Sequence, residues 1–149
     1  MITAQQIKIL REKTGAGVSD VKRALEDSSG DSAKAEELIV QRLGGSALKR
    51  AGRATGAGVV DAYIHSNARI GALVGLVCET DFVARNSDFR GLAHDIAMHV
   101  AAMDPADTAA LLEQPFIKDP GKTVGDLVNE AIGRFGENIR VDKFVRFDL

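Results

Sequence analysis

The stretch Gly58–Cys78, GVVDAYIHSNARIGALVGLVC, decides the fold class because its residues alternate with the period of two that β-strands require. Its first half alternates apolar and polar residues up to Ile64. Ser66–Arg69 then has the composition of a hairpin turn. The second half, Ile70–Cys78, carries no charge, which predicts a strand that is covered on both sides. The stretch therefore predicts an antiparallel hairpin.

Three short helices are predicted before this hairpin, in residues 1–45. Thr3 starts a sequence with the spacing of a capping box, and apolar residues follow at helical spacing. Thr14–Gly17 contains two glycines and is predicted to end the first helix. Ser19 is predicted to cap the second helix, and Gly44–Gly45 to end the third. The pattern indicates a three-helix unit near the lower size limit for independent stability.

The rest of the chain divides into a basic connection and a second unit. Residues 46–56 carry three positive charges and no acid, which predicts a solvated linker or helix. Residues 57–149 continue after the hairpin with a long helix, a short helix, a helix capped by Thr123 and a last strand. Val141 and Val145 are expected on one face of that strand. The predicted fold class is therefore α+β, with a small, mostly antiparallel sheet in the second unit.

The composition limits the classes of protein to which the chain can belong. It has 149 residues, of which 45% are hydrophobic and 27% charged, as is typical of a globular protein. The net charge of -2 argues against a protein that coats nucleic acid, and no apolar run reaches the ~20 residues of a membrane span. The single cysteine excludes an internal disulfide framework and a multi-cysteine zinc site. Because residues 1–10 do not resemble a signal peptide, we expect a cytoplasmic protein.

Residues that could carry catalytic chemistry are few and scattered. His94 and His99 are five positions apart, whereas helical metal pairs need three or four, so we interpret both as surface histidines. Cys78 continues an apolar strand and is interpreted as buried and inert, although an enzyme that uses Cys78 and His65 stays open. Phe82 follows directly after this strand, and composition alone favours a ring that folds back onto the core.

Three blocks of the sequence resemble the elongation factor Ts family, the nucleotide exchange factors of elongation factor Tu. The blocks are Leu10–Val18 (LREKTGAGV) with Asp20–Leu25 (DVKRAL), Cys78–Asn86 (CETDFVARN) and Gly136–Ile139 (GENI). The order of these blocks and the spacing between them also match the family. The resemblance implies an N-terminal domain similar to ubiquitin-associated domains and a core on a three-stranded antiparallel sheet. It implies a protein that is not an enzyme and has no cofactor, metal or catalytic residue.

The resemblance also implies that the N-terminal domain docks on the GTPase domain of elongation factor Tu. The expected contact residues are Arg11, Val18 and Ser19. The family usually has a pair of methionines at the last two positions, so the contact made by Val18 and Ser19 is expected to be smaller.

A second implied contact is formed by Thr80, Asp81, Phe82 and Val83, which match the segment that dislodges magnesium from the partner's nucleotide site. Phe82 is expected to act as a rigid apolar wedge, and Asp81 to hold the displaced partner segment. The chain would thus bind both the GDP-bound and the nucleotide-free partner and would not touch the nucleotide itself.

The chain departs from the family between Met103 and Leu111, where typical members insert a further subdomain. Related short members pair two chains, so we expect a homodimer. Its candidate surface is the last strand, Val141–Phe147, with Phe144 and Phe147.

Two other binding functions stay open at this point. The first is a non-catalytic protein-binding module built on the three-helix domain. The second, weaker one is RNA binding through the cations of residues 42–53, for which a solvated linker face is the simpler explanation. Because the net charge is -2 and no apolar run could span a membrane, we expect neither nucleic acid nor a membrane as a partner.

Overall fold

The computed structural model describes all 149 residues. In chain order, the helices are α1 (Ala4–Thr14), α2 (Val18–Asp27), α3 (Ser32–Arg50), α4 (Asp81–Ala84), α5 (Ser87–Met103), α6 (Thr108–Glu113) and α7 (Val124–Phe135). The strands are β1 (Ala57–Ile64), β2 (Ile70–Cys78), β3 (Pro115–Phe116), β4 (Asp119–Thr123) and β5 (Arg140–Asp148). Helices at the N-terminus are followed by a sheet with helices, so the predicted α+β class is confirmed.

The N-terminal helices α1 to α3 enclose a small core of seven buried residues. The Thr3 hydroxyl accepts the backbone N–H of Gln6 at 3.1 Å, and the Gln6 side chain accepts the backbone N–H of Thr3 at 3.0 Å. This is the predicted capping box. Gly15 ends α1 with a φ of 71°, a backbone conformation that favours glycine.

Two predicted helix boundaries are wrong. α2 begins at Val18 with a glycine as N-cap, so Ser19 lies within the first turn and does not cap it. α3 does not end at Gly44–Gly45 but continues to Arg50, through the first half of the segment predicted as a basic linker. The helix persists because its later residues, such as Ala47, pack against the larger core. Tertiary packing therefore outweighs the poor helix propensity of two glycines.

The sheet contains β1, β2 and β5 with β2 in the centre, and all its pairs are antiparallel, as predicted. The hairpin turn falls between Ile64 and Ile70, also as predicted. On the inner face of the sheet, α5 packs across β1 and β2. The inner face, α5, α7 and the shorter elements enclose a core of 20 buried residues, which includes Val74 and Leu76 of β2.

The other side of the sheet, called the outer face here, is lined by Val60, Ile64, Leu73, Val145 and Phe147. These side chains are between 44% and 75% exposed, and no element of the chain covers them. The prediction that β2 is covered on both sides is therefore wrong for the single chain. β1 alternates strictly between exposed and half-buried positions and directs Val60 and Ile64 outward.

A β-bulge interrupts the pairing of β2 with β5. Leu76 lies opposite Val141, but Gly75 lies opposite Lys143, so Asp142 is an extra residue in β5. An extra residue in a strand of period two reverses which side chains point inward.

The bulge overturns the prediction that Val141 and Val145 share a face of β5. Val141 is buried on the inner face, whereas Val145 is 44% exposed on the outer face, so the two valines do not share a face. Phe144 is half-buried and packs against the core on the inner side of the sheet. Val145 and Phe147, at 44% and 66% exposure, lie on the outer face, where a self-association surface remains a prediction.

The second unit also contains a short hairpin, β3 and β4, that the sequence did not predict. It leads into α7, which begins with a capping box at Thr123 as predicted. α7 packs against α3, so the N-terminal helices are in contact with the core. None of the helices combines the length and apolar composition that crossing a membrane requires.

Candidate partner-binding surface

The four-residue helix α4 presents Phe82 to solvent. The ring is 86% exposed, and Asp81 beside it is also exposed. Val83 and Ala84 of the same turn are each 4% exposed and pack in the core. The turn is therefore anchored in the core on one side and exposed to solvent on the other. The expectation from composition that the Phe82 ring folds back onto the core is wrong. Val83, a predicted contact residue, anchors the turn.

Thr80 is the N-cap of α4 and links it to the end of the sheet. Its hydroxyl accepts the backbone N–H of Val83 at 3.4 Å, and its carbonyl accepts the backbone N–H of Ala84 at 3.2 Å. The same carbonyl accepts a hydrogen bond from the Cys78 thiol at 3.2 Å. Thr80 thus supports the turn that carries Phe82, and the structure brings all four predicted residues of this block together.

The carboxylate of Glu137, in the turn before β5, holds the residues that precede α4. One oxygen accepts the backbone N–H groups of Glu79 and Thr80 at 3.1 and 3.0 Å. The other accepts the Thr80 hydroxyl at 2.7 Å. In return, the Glu79 carboxylate accepts the backbone N–H of Asn138 at 3.2 Å. We call this set of hydrogen bonds the Glu79–Glu137 clasp.

Asn138 extends the clasp to the chain that follows α3. Its side chain is almost completely buried and donates to the backbone carbonyls of Ala51 and Arg53 at 3.4 and 2.9 Å. Sequence reasoning placed Glu137 and Asn138 in the turn before the last strand and gave their side chains no role. Their occurrence in one of the three family-like blocks was the only sign of importance, because their partners lie more than 50 residues away in the sequence.

Cys78 is buried, as predicted, and its environment favours the neutral thiol. Burial raises the pKa of the Cys78 thiol, and the negative charges of Glu137 and Asp81 add to the rise. Because the thiolate is the reactive form, this environment is the opposite of that of a catalytic cysteine. His65, its candidate partner in an enzyme, has Nδ1 within 3.1 Å of the Tyr63 hydroxyl instead.

The histidine prediction is half right. His94 is exposed and lies 3.4 Å from a carboxylate oxygen of Asp61, whereas His99 is completely buried and the prediction of a surface position is wrong for it. His99 Nδ1 accepts the backbone N–H of Ile117 at 3.2 Å, so the neutral ring carries its proton on Nε2, which donates to Gln114 at 2.9 Å. No group of three or more His, Cys, Asp or Glu side chains could hold a metal ion.

The three predicted contact residues of the N-terminal helices are all exposed. Arg11 and Val18 line one cleft between α1 and α2, with a volume of about 520 Å³ and Ile7 at its apolar side. Val18 is 49% exposed. Ser19 is exposed next to Val18 but does not line the cleft.

Comparison with known proteins shows which family the chain belongs to. The family model described as Elongation factor TS matches residues 79–149. The chain is 42% identical to the elongation factor Ts of Carboxydothermus hydrogenoformans over 194 residues, which cover 100% of this chain and 89% of that protein. The chain belongs to the elongation factor Ts family. It is thus a translation elongation factor that takes part in protein biosynthesis.

Other members of the elongation factor Ts family match at similar levels. Elongation factor Ts of Acetivibrio thermocellus is 42% identical over 99% of this chain and 90% of its own length. That of Rubrobacter xylanophilus is 39% identical over 97% of each chain. These alignments run over 193 and 190 residues, more than the 149 of this chain, so the relatives contain residues that have no counterpart here.

Proposed function

We propose that this chain binds elongation factor Tu with GDP bound and accelerates GDP release by disturbing the magnesium and phosphate site. The observation that carries the proposal is Phe82, which is 86% exposed on a turn that Val83, Ala84 and Thr80 fix to the core. An isolated exposed aromatic ring on an anchored turn is suited to insertion into a partner. The proposal places the chain in the cytoplasm, where translation elongation takes place.

The mechanism needs no chemical step. A nucleoside diphosphate on a GTPase is held by phosphate contacts and by a cation that bridges the phosphates to the protein. An exchange factor binds the nucleotide-free GTPase better than the loaded one. Its binding therefore weakens nucleotide binding, and the nucleotide weakens the binding of the factor by the same ratio. Phe82 would part the partner's helices near the cation, and the carboxylate of Asp81 would accept hydrogen bonds from the displaced segment.

The N-terminal cleft provides the second contact in this proposal. Arg11 supplies a charge at its rim, and Val18 an apolar side chain of modest size. Such a contact would add affinity without favouring either nucleotide state. Losing it would therefore raise the concentration of factor needed and leave the maximal release rate unchanged.

We further propose that two copies of the chain associate through the outer face. The face is apolar near Ile64, Leu73 and Phe147 and has exposed edges at β1 and β5. In a two-fold dimer the same patch meets itself, and apolar side chains satisfy this condition because they do not repel each other. A second copy would also cover the outer positions of β2, as the uncharged sequence of that strand predicts.

The release of fluorescent GDP from elongation factor Tu tests the exchange proposal. Wild-type protein should accelerate release, and Phe82→Ala should lose most of the acceleration at saturating concentration while its binding persists. Leu48→Ala is the matched control, since it removes another exposed apolar side chain, 80% exposed on α3, and should leave release unchanged. Equal rates for wild type and Phe82→Ala would exclude the wedge, and binding without any acceleration would favour a simple binding module.

A further inference from the structure

We infer that Glu137 is a positioning residue for exchange, which sets the orientation of Phe82 through Thr80 without touching the partner. This inference rests on the proposed function. Glu137 lies in the turn between α7 and β5, 57 residues from Thr80 in the sequence, yet its carboxylate makes three hydrogen bonds to Glu79 and Thr80.

The position of Glu137 explains why a carboxylate is needed there. The pairing of β2 with β5 ends at Val77 and Arg140, so the backbone N–H groups of Glu79 and Thr80 have no partner strand on that side. Unpaired backbone donors near the core are costly. The carboxylate of Glu137 accepts both donors and so takes the place of the missing strand, with hydrogen bonds strengthened by its charge.

The link to Phe82 runs through Thr80. α4 has only four residues, far fewer than a helix needs to be stable by itself, so its shape depends on its cap and on the burial of Val83. The Thr80 hydroxyl that caps the Val83 N–H is the same group that donates to Glu137 at 2.7 Å. Phe82 is too exposed to fix its own position. Releasing Thr80 would therefore let the turn, and the ring with it, adopt several orientations.

The charge of Glu137 is compensated by these donors and not by a cation. No lysine, arginine or histidine lies within ion-pair distance of Glu137. The one ion pair of the clasp joins Arg53 to the other carboxylate, Glu79, at 3.8 Å. A glutamine can keep the geometry, because its oxygen accepts the two backbone donors while its amide group donates to the Thr80 hydroxyl. Alanine removes all three hydrogen bonds. The two substitutions thus separate positioning from charge.

The experiment compares Glu137→Ala, Glu137→Gln and the control Glu113→Ala, which changes an exposed glutamate at the end of α6. Amide hydrogen exchange of the free protein is measured first. In Glu137→Ala the amides of Glu79 and Thr80 should exchange at least about tenfold faster, while those of the β2 interior stay protected. Unchanged protection of both amides would overturn the inference without reference to any partner.

The release of fluorescent GDP from elongation factor Tu is measured next. Glu137→Ala should lower the saturating release rate about tenfold with little change in the concentration for half-maximal effect. Glu137→Gln should retain most of the rate, and Glu113→Ala all of it. In a Phe82→Ala background, Glu137→Ala should have no further effect, because it acts through that ring. A full additional loss in that background would overturn the inference.

Failure of this inference and failure of the proposed function give different results. If wild type does not accelerate release, or if Phe82→Ala equals wild type, the exchange mechanism itself fails and the inference fails with it. If Phe82→Ala loses the acceleration but Glu137→Ala keeps it, the wedge stands and only the positioning role of Glu137 is overturned.

Discussion

Lys122 and Glu130 form an ion pair of 2.8 Å in which the side chains are only 18% and 19% exposed. Lys122 also donates a hydrogen bond to the backbone carbonyl of Lys13 near the end of α1. The pair therefore joins β4 and α7 of the core to the first N-terminal helix. Burial raises the pKa of the Glu130 carboxyl, and the charge and hydrogen bond of Lys122 offset this rise only in part.

Lys122→Met should lower the free energy of unfolding by about 3 kcal/mol, because it leaves the buried carboxylate of Glu130 without its cation. Urea unfolding at pH 7 measures the loss. The control is Lys118→Met, which breaks the ion pair of Lys118 with Asp95 at 3.0 Å. Because the Lys118 side chain is 57% exposed, this substitution should lower the free energy of unfolding by less than about 1 kcal/mol. Equal losses for the two variants would contradict a special role for the buried pair.

The raised pKa of Glu130 predicts a pH dependence with a defined sign. Because the folded state holds this proton more strongly than the unfolded chain, Glu130 contributes stability below the pKa of the unfolded chain. That contribution is lost as the pH rises through the folded pKa. The difference in unfolding free energy, wild type minus Glu130→Gln, should therefore fall between pH 4 and pH 7. A difference that rises with pH would contradict the assignment.

Gly133→Ala should destabilise the contact between α3 and α7 by about 1 kcal/mol, although alanine favours helices. A Cβ atom on Gly133 would overlap the Leu43 side chain, which has to move. Gly45→Ala is the matched control, since a Cβ there meets open space, and it should stabilise by about 0.5–1 kcal/mol. Thermal unfolding distinguishes the two, and adding Leu43→Ala should reduce the effect of Gly133→Ala.

His99→Phe should cost about 2–4 kcal/mol, because it leaves the Ile117 N–H and the Gln114 side chain without their buried partner. Chemical unfolding measures this loss. His94→Ala, at an exposed histidine, should stay within about 0.5 kcal/mol of wild type. If both substitutions are equally mild, the hydrogen bonds of His99 do not hold the β3–β4 hairpin to α5.

Phe147→Glu should shift the protein toward monomers in sedimentation velocity at micromolar concentration, since a buried interface does not accept two unpaired carboxylates. Ile117→Glu, at an apolar side chain 44% exposed outside the sheet, should leave the mass unchanged. A wild-type protein that sediments as a monomer would remove the basis of the dimer proposal.

Sequence patterns predicted the elements whose determinants are local. The caps at Thr3 and Thr123 and the hairpin turn before Ile70 depend on residues within a few positions of each other, and all are present. The end of α3 was missed because Gly44–Gly45 is a local stop that distant packing overrides. The bulge at Asp142 was missed because two adjacent polar residues give no indication of which is extra.

The candidate site was accessible to sequence reasoning only in part. Phe82 was identified through the family-like block around it, whereas composition alone favoured the wrong, buried position. Glu137 could not be assigned a role, since its hydrogen bonds join segments 57 and 58 residues apart in the sequence. Val83 was predicted as a contact, but the pattern cannot tell which side of a four-residue turn faces the core.

The unbroken course of α3 has a consequence for how the two proposed partner contacts would cooperate. A stiff connection between two binding surfaces gives the second contact a high effective concentration when the two sites on the partner lie at the matching distance. When that distance does not match, the effective concentration is close to zero. α3 links the N-terminal core to the larger one without a flexible break. One residue inserted after Ser46 would rotate the two parts by about 100° relative to each other. In the proposed complex, α3 would therefore favour partners whose two binding sites match its spacing, with no additional contact.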